Sequence, residues 1–531
     1  MSQTVSPNIQ ATMNATSQTW ADLPALALPG SVTAGYVPYL MALVLLASIM
    51  ALPFYGKKNA AFNAFPVVNK TQDEYLRDGK GVISRGINAH AEKPFRVNTG
   101  LGPGVIVMDP KYTNELRNDQ RLDSTKFLLQ CGTNDVRKQY WQAGIPGFEP
   151  YIALSSEILH NVVKWNLTQA GITKLSQPLA EGTDIALKDI LTDSEEWHEI
   201  SLADVIIRIV ARVSSVVFLG PELSQDPEWL RITVNYTKEA TEAARHLRRW
   251  PSFTYKVIHW FLPACQRVRS MVNEAREIIR PILEQRRKQK AAGGGVKFND
   301  SLEWYENIAE KMGVTYDPAP QQLGLAVSAI LTSNDLMSQC VLDLCRNPEL
   351  VEPLRQEIRS VLGDEGWTST SLYNMKLLDS VLKETLRMKP VSRVGLGRLV
   401  LEDVKLSDGT FLPKGAGIAV NAKRMWDPEI YENPETFDGY RFLRMRESGK
   451  AEQAGQLVST SPDHFGFGIG IHACPGRFFG ANTVKLVLSQ FLLKYDFKLA
   501  EGTPTNPMSF GFAMLSSPMA KVLIRRRKES L

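Results

Sequence analysis

A single cysteine lies among glycines near the carboxyl end of this 531-residue chain. Residues 467–476 read Phe-Gly-Ile-Gly-Ile-His-Ala-Cys-Pro-Gly, and Cys474 is the only thiol in the run. Glycines such as Gly470 let the backbone turn tightly around the sulfur and point its amide groups inward. Pro475 suits the first position of a helix, which is predicted to cover residues 477–495. The sulfur is therefore expected near a positive helix end, which favours a thiolate.

A thiolate in such a loop is a suitable ligand for haem iron, because the metal and nearby amide groups stabilise its charge. The pattern depends on Phe467, Gly470, Cys474 and Gly476. At average residue frequencies, these four positions match by chance in about one chain per several hundred to a thousand. A buried, inert cysteine in a glycine-rich loop is the alternative interpretation.

Glu384 and Arg387 lie three residues apart in a predicted helix over residues 372–388. This spacing places both side chains on one helical face, where they can form an ion pair. Alone, the pair would be interpreted as a surface ion pair of little consequence. A later segment, residues 434–442, supplies a further arginine, Arg441.

Residues 323–344 are predominantly apolar and predict one long, mostly buried helix. Thr332 and Ser333 interrupt it in the middle. A hydroxyl at such a position can bond to the carbonyl one turn back and bend the helix. An ordinary core threonine, with its hydroxyl satisfied locally, is the alternative interpretation.

Taken in order, these elements resemble the cytochrome P450 family of haem-thiolate monooxygenases, from about residue 65 to about residue 526. Residues 118–122 and 465–468 are similar to those of fungal members that act in secondary metabolism. The resemblance implies a mainly α fold with a small β region (α+β). It also implies haem b, with Cys474 as the axial ligand of the iron.

The same resemblance assigns roles to the other elements. Arg441 would join Glu384 and Arg387 in a network that clamps the cysteine loop, and Thr332 and Ser333 would lie over the oxygen-binding side of the haem. The position before Thr332, commonly an acid in the family, is Leu331. A side chain at residue 331 therefore cannot deliver protons.

Two cations are expected to bind the haem propionates. By resemblance these are Arg398, at the start of a predicted strand, and His472, two residues before Cys474. Many family members carry arginine where His472 stands, and histidine is a weaker, pH-dependent cation. Trp165 and Gln169 match the family's Trp-x-x-x-Arg pattern with glutamine in place of arginine, so no charge is expected there.

The activity implied is hydroxylation, epoxidation or desaturation of a lipophilic small molecule, with terpenoids or meroterpenoids favoured. Electrons would come from a flavoprotein NADPH–cytochrome P450 reductase, with cytochrome b5 as a second donor. Pocket walls are expected from residues 119–147, 325–332, 391–396 and 510–514. Two other hypotheses are a rearranging or dehydrating haem-thiolate enzyme and a membrane haem protein that senses a ligand without turnover.

A stretch of about nineteen uncharged residues, 37–55, is long enough to span a bilayer as a helix. Basic residues follow it at once, and residues 1–30 contain none, so the body is predicted to face the cytoplasm. The expected organisation is a luminal tail (1–36) with a possible glycosylation acceptor at Asn14, a single anchor in the endoplasmic reticulum membrane, a linker (56–64) and a catalytic domain (65–531). A cleaved signal peptide is the rival interpretation.

Composition agrees with one large enzyme domain. The net charge is +5, no basic pattern indicates nucleic acid binding, and five irregularly spaced cysteines favour a reducing compartment. Two basic runs, 285–290 and 525–528, are candidate docking surfaces for an acidic reductase. Short strands are predicted within 399–415, and further helices over 202–219, 240–246, 268–287 and 320–344.

Overall fold

The computed structural model describes residues 62–528 except 101–103, 131–143, 221–222, 248, 251–253, 294–296, 364–365 and 450–451. The chain divides between residues 63 and 64 into two units, and the unit Ala64–Leu531 carries the elements given below. The predicted tail with Asn14, the membrane anchor and most of the linker lie outside the described residues.

Helices make up most of the described fold. In chain order they are α1 Gln72–Arg77, α2 Gly79–His90, α3 Thr113–Leu116, α4 Ser124–Gln130, α5 Glu149–Ala153, α6 Glu157–Asn166, α7 Gln169–Thr173, α8 Ser176–Leu191, α9 Leu202–Leu219, α10 Pro227–Leu247, α11 Tyr255–Ile258, α12 Pro263–Ala291, α13 Ser301–Met312, α14 Pro318–Arg346, α15 Val351–Leu362, α16 Ser369–Asn374, α17 Lys376–Met388, α18 Arg441–Glu447 and α19 Arg477–Lys494.

The strands form small sheets. They are β1 Phe95–Val97, β2 Val105–Met108, β3 Leu122–Asp123, β4 His198–Ser201, β5 Val394–Val400, β6 Val404–Lys405, β7 Phe411–Leu412, β8 Gly417–Asn421, β9 Tyr495–Leu499, β10 Met508–Phe510, β11 Ala513–Leu515 and β12 Lys521–Arg526. The largest sheet has the order β1-β2-β8-β5-β3, in which only β2 and β8 run parallel. A three-stranded sheet has the order β4-β12-β9, and β6-β7 and β10-β11 are paired strands.

The main core lies where α9, α14 and α19 pack against one another. Val213 on α9, Met337 on α14 and Leu488 on α19 are completely buried there. Full burial of one such side chain contributes about 1.5–3 kcal/mol. α14 begins where Asp317 accepts a hydrogen bond from the Ala319 amide, so this 29-residue core helix has a defined start.

The prediction of a mainly α fold with a small β region is confirmed. The predicted helix over residues 202–219 has the same bounds in the structure, and those over 240–246, 268–287 and 320–344 lie within the longer α10, α12 and α14. β5, β6 and β7 account for the strands predicted near residues 399–415.

Two local predictions were wrong. The helix predicted over 372–388 is divided into α16 and α17 at Met375, because the Glu357 carboxylate caps α17 by accepting the amides of Leu377 (2.6 Å) and Leu378 (3.0 Å). Pro475 is not the first helical residue, since α19 begins two residues later.

Within the described residues, α14 is the one helix that is long and apolar enough to cross a membrane. Most of it is buried inside the protein, as expected of a core helix.

Candidate active site

Cys474 lies in a tight loop that leads into α19. Its amide donates to the Phe467 carbonyl (2.8 Å), and the Ala473 amide donates to the Gly470 carbonyl (3.0 Å). Gly470 has φ +73°, and a Cβ atom there would lie only 2.2 Å from the Arg117 carbonyl oxygen. The loop can take this path only with glycine at position 470.

The Cys474 side chain differs from the other cysteines that the structure describes. It is exposed, whereas the other three are buried or partly buried. Desolvation by the surrounding protein nevertheless raises the pKa of its thiol, opposed by the Gly476 amide and the Arg477 guanidinium. These two observations agree if the sulfur is packed by protein on most sides and open on one. A sulfur donor open on one side, beside amide and guanidinium groups, fits an iron ligand.

Arg398 is a buried cation near this loop. β5 is irregular between Gly395 and Arg398, which brings the guanidinium to within hydrogen-bond distance of the carbonyls of Gly397 (2.8 Å) and Ile469 (3.4 Å). Its Nε has no hydrogen-bond partner among the described residues. Burial lowers the pKa of Arg398 to about 10, against the opposing charge of Asp123. A buried guanidinium with a free N–H fits a carboxylate ligand such as a haem propionate.

His472 is a weaker candidate for the same task. Its Nε2 lies 3.2 Å from the Leu122 carbonyl oxygen. Burial, followed by the charge of Arg398, lowers its pKa below the ordinary value. His472 is therefore mostly neutral near pH 7, and it offers a hydrogen bond without a full positive charge.

The structure brings Glu384, Arg387 and Arg441 together in a buried network. Arg387 makes two hydrogen bonds of 2.8 Å to the Glu384 carboxylate, and Arg441 Nε lies 3.1 Å from both oxygens of the same group. The remaining donors reach carbonyls, from Arg387 to Met425 (2.7 Å) and from Arg441 to Glu432 (2.6 Å). Because charged groups so deeply buried require complete pairing, this geometry fixes α17 against the segment 425–441.

Ser328 and Thr332 expose hydroxyl groups on a helix that is otherwise mostly buried. Thr332 donates to the Ser328 carbonyl (2.9 Å), and Ser328 donates to the Gly324 carbonyl (3.0 Å), which is the local bonding expected at a bend. Ser333 is buried on another side of α14. The two predicted catalytic hydroxyls therefore differ, since only that of Thr332 is accessible.

Two of the predicted pocket walls lie side by side. The Met514 amide donates to the Val391 carbonyl and the Arg393 amide to the Phe512 carbonyl, both at 2.9 Å. The Ser516 amide then donates to Asp335 on α14 (2.7 Å), which brings the end of this strand pair to the helix that carries Thr332. Of the wall predicted over residues 119–147, residues 131–143 lie outside the described residues.

A cavity of about 600 Å³ lies beside the cysteine loop. Its described lining includes basic residues and no acidic ones: Arg117, Asn118, His160, Lys164, Thr168, Thr460, Ile469, Gly470, Ile471, Ala473, Pro475, Arg477 and Phe478. His160 and Lys164 were missed by the sequence reasoning. Their spacing of four on α6, which puts both on one helical face, is the signal that could have found them.

Trp165 and Gln169 do not belong to this cavity lining. The Trp165 ring is half exposed and lies under the Lys311 ammonium, while Gln169 donates to the Ser369 hydroxyl (3.1 Å). No charge partner was expected at Gln169, and Lys164 supplies the positive charge of this region instead.

The two basic runs are largely occupied by ion pairs. In the first, Arg286 pairs with Asp300 (2.7 Å) and Arg287 with Glu306 (2.8 Å). In the second, Arg525 and Arg527 lie at 3.2 and 2.9 Å from the Asp496 carboxylate. These pairs weaken both runs as candidate docking surfaces. At the cavity beside the cysteine loop, by contrast, Arg117, Lys164 and Arg477 have no acidic neighbour in the described lining.

Comparison with known proteins agrees with this geometry. The family profile described as Cytochrome P450 matches residues 92–523. The chain is 43% identical over 470 residues to the cytochrome P450 monooxygenase hepE of Aspergillus oryzae, covering 87% of this chain and 84% of that protein. It is 44% identical over 446 residues to cytochrome P450 monooxygenase 1 of Gibberella fujikuroi, covering 83% and 99%. It is 39% identical over 462 residues to the cytochrome P450 monooxygenase TRI1 of Fusarium sporotrichioides, covering 86% of this chain and 83% of that protein.

The chain belongs to the cytochrome P450 family. It is an oxidoreductase of the monooxygenase class, and its cofactor is the haem of that family, whose iron is bound by a cysteine thiolate of the protein. The predicted resemblance to fungal members is confirmed.

Proposed function

We propose that Cys474 is the axial ligand and that Arg398 and His472 bind the haem propionates. One observation carries this proposal: an exposed thiol in a glycine-dependent loop, at the amino end of α19, within the matched family region. Glu384, Arg387 and Arg441 would hold the segment before that loop in place. Their role is structural, because all three charges are used in pairing with one another and with carbonyls.

The reaction we propose is hydroxylation, epoxidation or desaturation of a lipophilic small molecule, a terpenoid or meroterpenoid in a fungal biosynthetic pathway. Bound haem supplies the reductive activation of dioxygen. The protein binds the substrate, excludes water and supplies protons. Thr332 is suited to the last task because its hydroxyl is exposed, and because its donated bond to Ser328 leaves its oxygen free to accept another hydrogen bond.

The electron donor would be an NADPH–cytochrome P450 reductase, with cytochrome b5 as a second partner. Arg117, Lys164 and Arg477 line the cavity beside the cysteine loop without an acidic neighbour in the lining. An acidic partner would be steered to such a surface and would bring its electrons close to Cys474.

We place the enzyme at the endoplasmic reticulum membrane, with a single anchor and a cytoplasmic catalytic domain. The uncharged stretch 37–55 supports this placement. Val257, Trp260 and Phe261 support it too, since 63%, 51% and 71% of these apolar side chains are exposed within five residues. Exposed apolar clusters of this kind mark membrane or protein contacts.

The proposal is tested by reconstituting the full-length protein in membranes with the reductase, NADPH and a panel of terpenoids. We expect a product that has gained oxygen or lost two hydrogens, formed only with both NADPH and dioxygen. A redox-neutral isomer, or a dehydrated product formed without NADPH, would favour a rearranging enzyme. Substrate binding without any product would favour a sensor.

Thr332→Ala refines this test. We expect it to raise peroxide release and lower product formation per NADPH by about tenfold, since positioned proton transfer contributes at least that much. Thr241→Ala is the matched control, because Thr241 is an exposed helical threonine with the same bond to the carbonyl four residues back (2.8 Å). Equal coupling in both variants would remove Thr332 from the mechanism.

A further inference from the structure

We propose that a buried column of polar side chains on α14, on α17 and at the residue directly after α17 supplies protons to Thr332. The polar column consists of Asp335, Gln339, Asp343, Thr385 and Lys389. The inference rests on the proposed monooxygenase function and assigns the proton route for it.

The first observation is that accessible hydroxyls and buried acids share one face of α14. Residues 328, 332, 335, 339 and 343 follow one another at intervals of three or four, so their side chains project from the same side of the helix. The first two are exposed and the last three are buried. Polar side chains therefore follow one another from the accessible hydroxyls into the protein. They offer a proton route that does not need an acid at residue 331, which is leucine.

The second observation concerns the end of the column near Thr332. Asp335, one turn after Thr332, pairs with Lys389, the residue that directly follows α17, and both residues are buried. Its second oxygen accepts the Ser516 amide (2.7 Å). Burial lowers the pKa of Lys389, opposed by Asp335 and also by Asp343, so both carboxylates act on one ammonium group.

The third observation is a set of unpartnered oxygens deeper in the column. Gln339 Nε2 donates to Asp343 (2.9 Å), which joins the two side chains. Gln339 Oε1, the second Asp343 oxygen and Thr385 Oγ1 are buried and have no partner within the described chain. The Thr385 hydroxyl still lowers the pKa of Asp343, so the two lie close together without a normal hydrogen bond. Buried oxygens with this disposition are the partners that an internal water requires.

The fourth observation is the opposite end of the column, which reaches solvent. Arg346 lies 3.6 Å from the Asp343 carboxylate and is 40% exposed. Burial raises the pKa of Asp343 to about 6, opposed by Gln339 and Arg346. A carboxyl group with this pKa exchanges protons near neutral pH, as a carrier must.

These observations define a direction of transfer. Asp343 takes a proton from solvent beside Arg346 and passes it through bound water and the Thr385 hydroxyl toward the Asp335–Lys389 pair. The proton leaves at Thr332, and Asp343 is reprotonated from solvent. Each delivery therefore restores the column to its starting state.

The experiment uses the full-length, haem-loaded protein in membranes with the reductase. Infrared spectroscopy across pH 5 to 8 detects the carbonyl stretch of a buried carboxylic acid. We expect a band that titrates near pH 6 in the wild type, is lost in Asp343→Asn and is retained in Glu349→Gln. Glu349 is an exposed acid just beyond α14 and serves as the control. Absence of the band from the wild type would overturn the proposal.

The second readout is NADPH-driven dioxygen consumption in H₂O and D₂O. We expect Asp343→Asn to slow it about tenfold and to increase the solvent isotope effect. Thr385→Val, which removes one hydroxyl at nearly constant volume, should change both quantities in the same direction even if Asp343→Asn folds poorly. Rates and isotope effects equal to those of Glu349→Gln would show that the column is only structural.

The two proposals fail in different ways. If the thiolate–haem spectrum is absent, the proposed function is wrong and the proton route falls with it. If that spectrum is normal but the infrared and isotope results fail, only the column is overturned.

Discussion

The cysteine loop and the polar face of α14 are held in place by different kinds of interaction. The loop follows its family pattern at Phe467, Gly470, Cys474 and Gly476, and its path depends on glycine and on backbone hydrogen bonds. The α14 face keeps Thr332 but departs from the pattern at Leu331, and its polar groups are side chains paired with other elements.

The difference follows from what each region has to do. A metal ligand must be held in one position, so the loop around it tolerates little change. Protons can reach a hydroxyl by more than one route, so a missing acid at residue 331 can be replaced by groups one turn away. The loop therefore keeps the family pattern, whereas the α14 face departs from it at Leu331.

The largest loss of stability is expected when the buried network of Glu384, Arg387 and Arg441 is broken. Glu384→Gln would leave Arg387 and Arg441 buried with incomplete charge pairing, which costs about 3–5 kcal/mol. We expect little haem-loaded protein, measured as the haem-to-protein ratio and by denaturant unfolding. Glu277→Gln, which breaks the exposed pair with Arg280, should change stability by less than about 1 kcal/mol. Similar losses in both variants would contradict the bracing role.

Gly470→Ala tests the loop itself. The new Cβ would press on the Arg117 carbonyl at a residue with positive φ, so we expect a cost of about 3 kcal/mol and weaker haem retention. Gly409→Ala is matched in φ (+88°) but has open space around it, so strain alone should cost about 1 kcal/mol. Equal unfolding free energies would show that close approach does not shape the loop.

The stability of the protein should depend on pH through Asp343 of α14. Burial raises the pKa of Asp343 from 3.8 to about 6, so between these values the folded protein holds a proton that the unfolded chain has released. The contribution of Asp343 to the free energy of unfolding is therefore greatest below pH 4. It falls by up to about 3 kcal/mol as the pH rises to 6 and above.

Asp343→Asn removes this loss. The variant should gain stability relative to the wild type as pH rises from 4 to 7, measured by denaturant unfolding at each pH. The exposed control Glu349→Gln should track the wild type. A constant difference between Asp343→Asn and the wild type would mean that Asp343 titrates normally.

The smallest expected effect is a change in the rate of haem loss, and it distinguishes Arg398 from His472 as propionate ligands. Arg398→Gln should speed haem transfer to excess apomyoglobin about tenfold, because one charge-assisted hydrogen bond contributes about 1.5–3 kcal/mol. His472→Gln should change the rate less, since burial and Arg398 already lower the pKa of this imidazole. The reverse order would exchange their roles.

The spacing of Glu384 and Arg387 was sufficient to predict their pairing, and the family resemblance supplied Arg441 as the third member. The sequence could not predict the break at Met375, because the cap comes from Glu357 on a different helix. It also missed Lys389, which looks like an ordinary lysine after the Glu384 helix until folding buries it against Asp335. Contacts between distant segments decide such features, and their residue types alone are unremarkable.

The central claim is that Cys474 binds haem iron as a thiolate. The most direct measurement is the reduced-plus-carbon-monoxide difference spectrum of membranes that contain the full-length protein, recorded beside Cys474→Ser. We predict a band at about 450 nm in the wild type, the signature of a thiolate ligand, and none in the variant. A haem-loaded wild type without this band, or a variant that keeps it, would contradict the account.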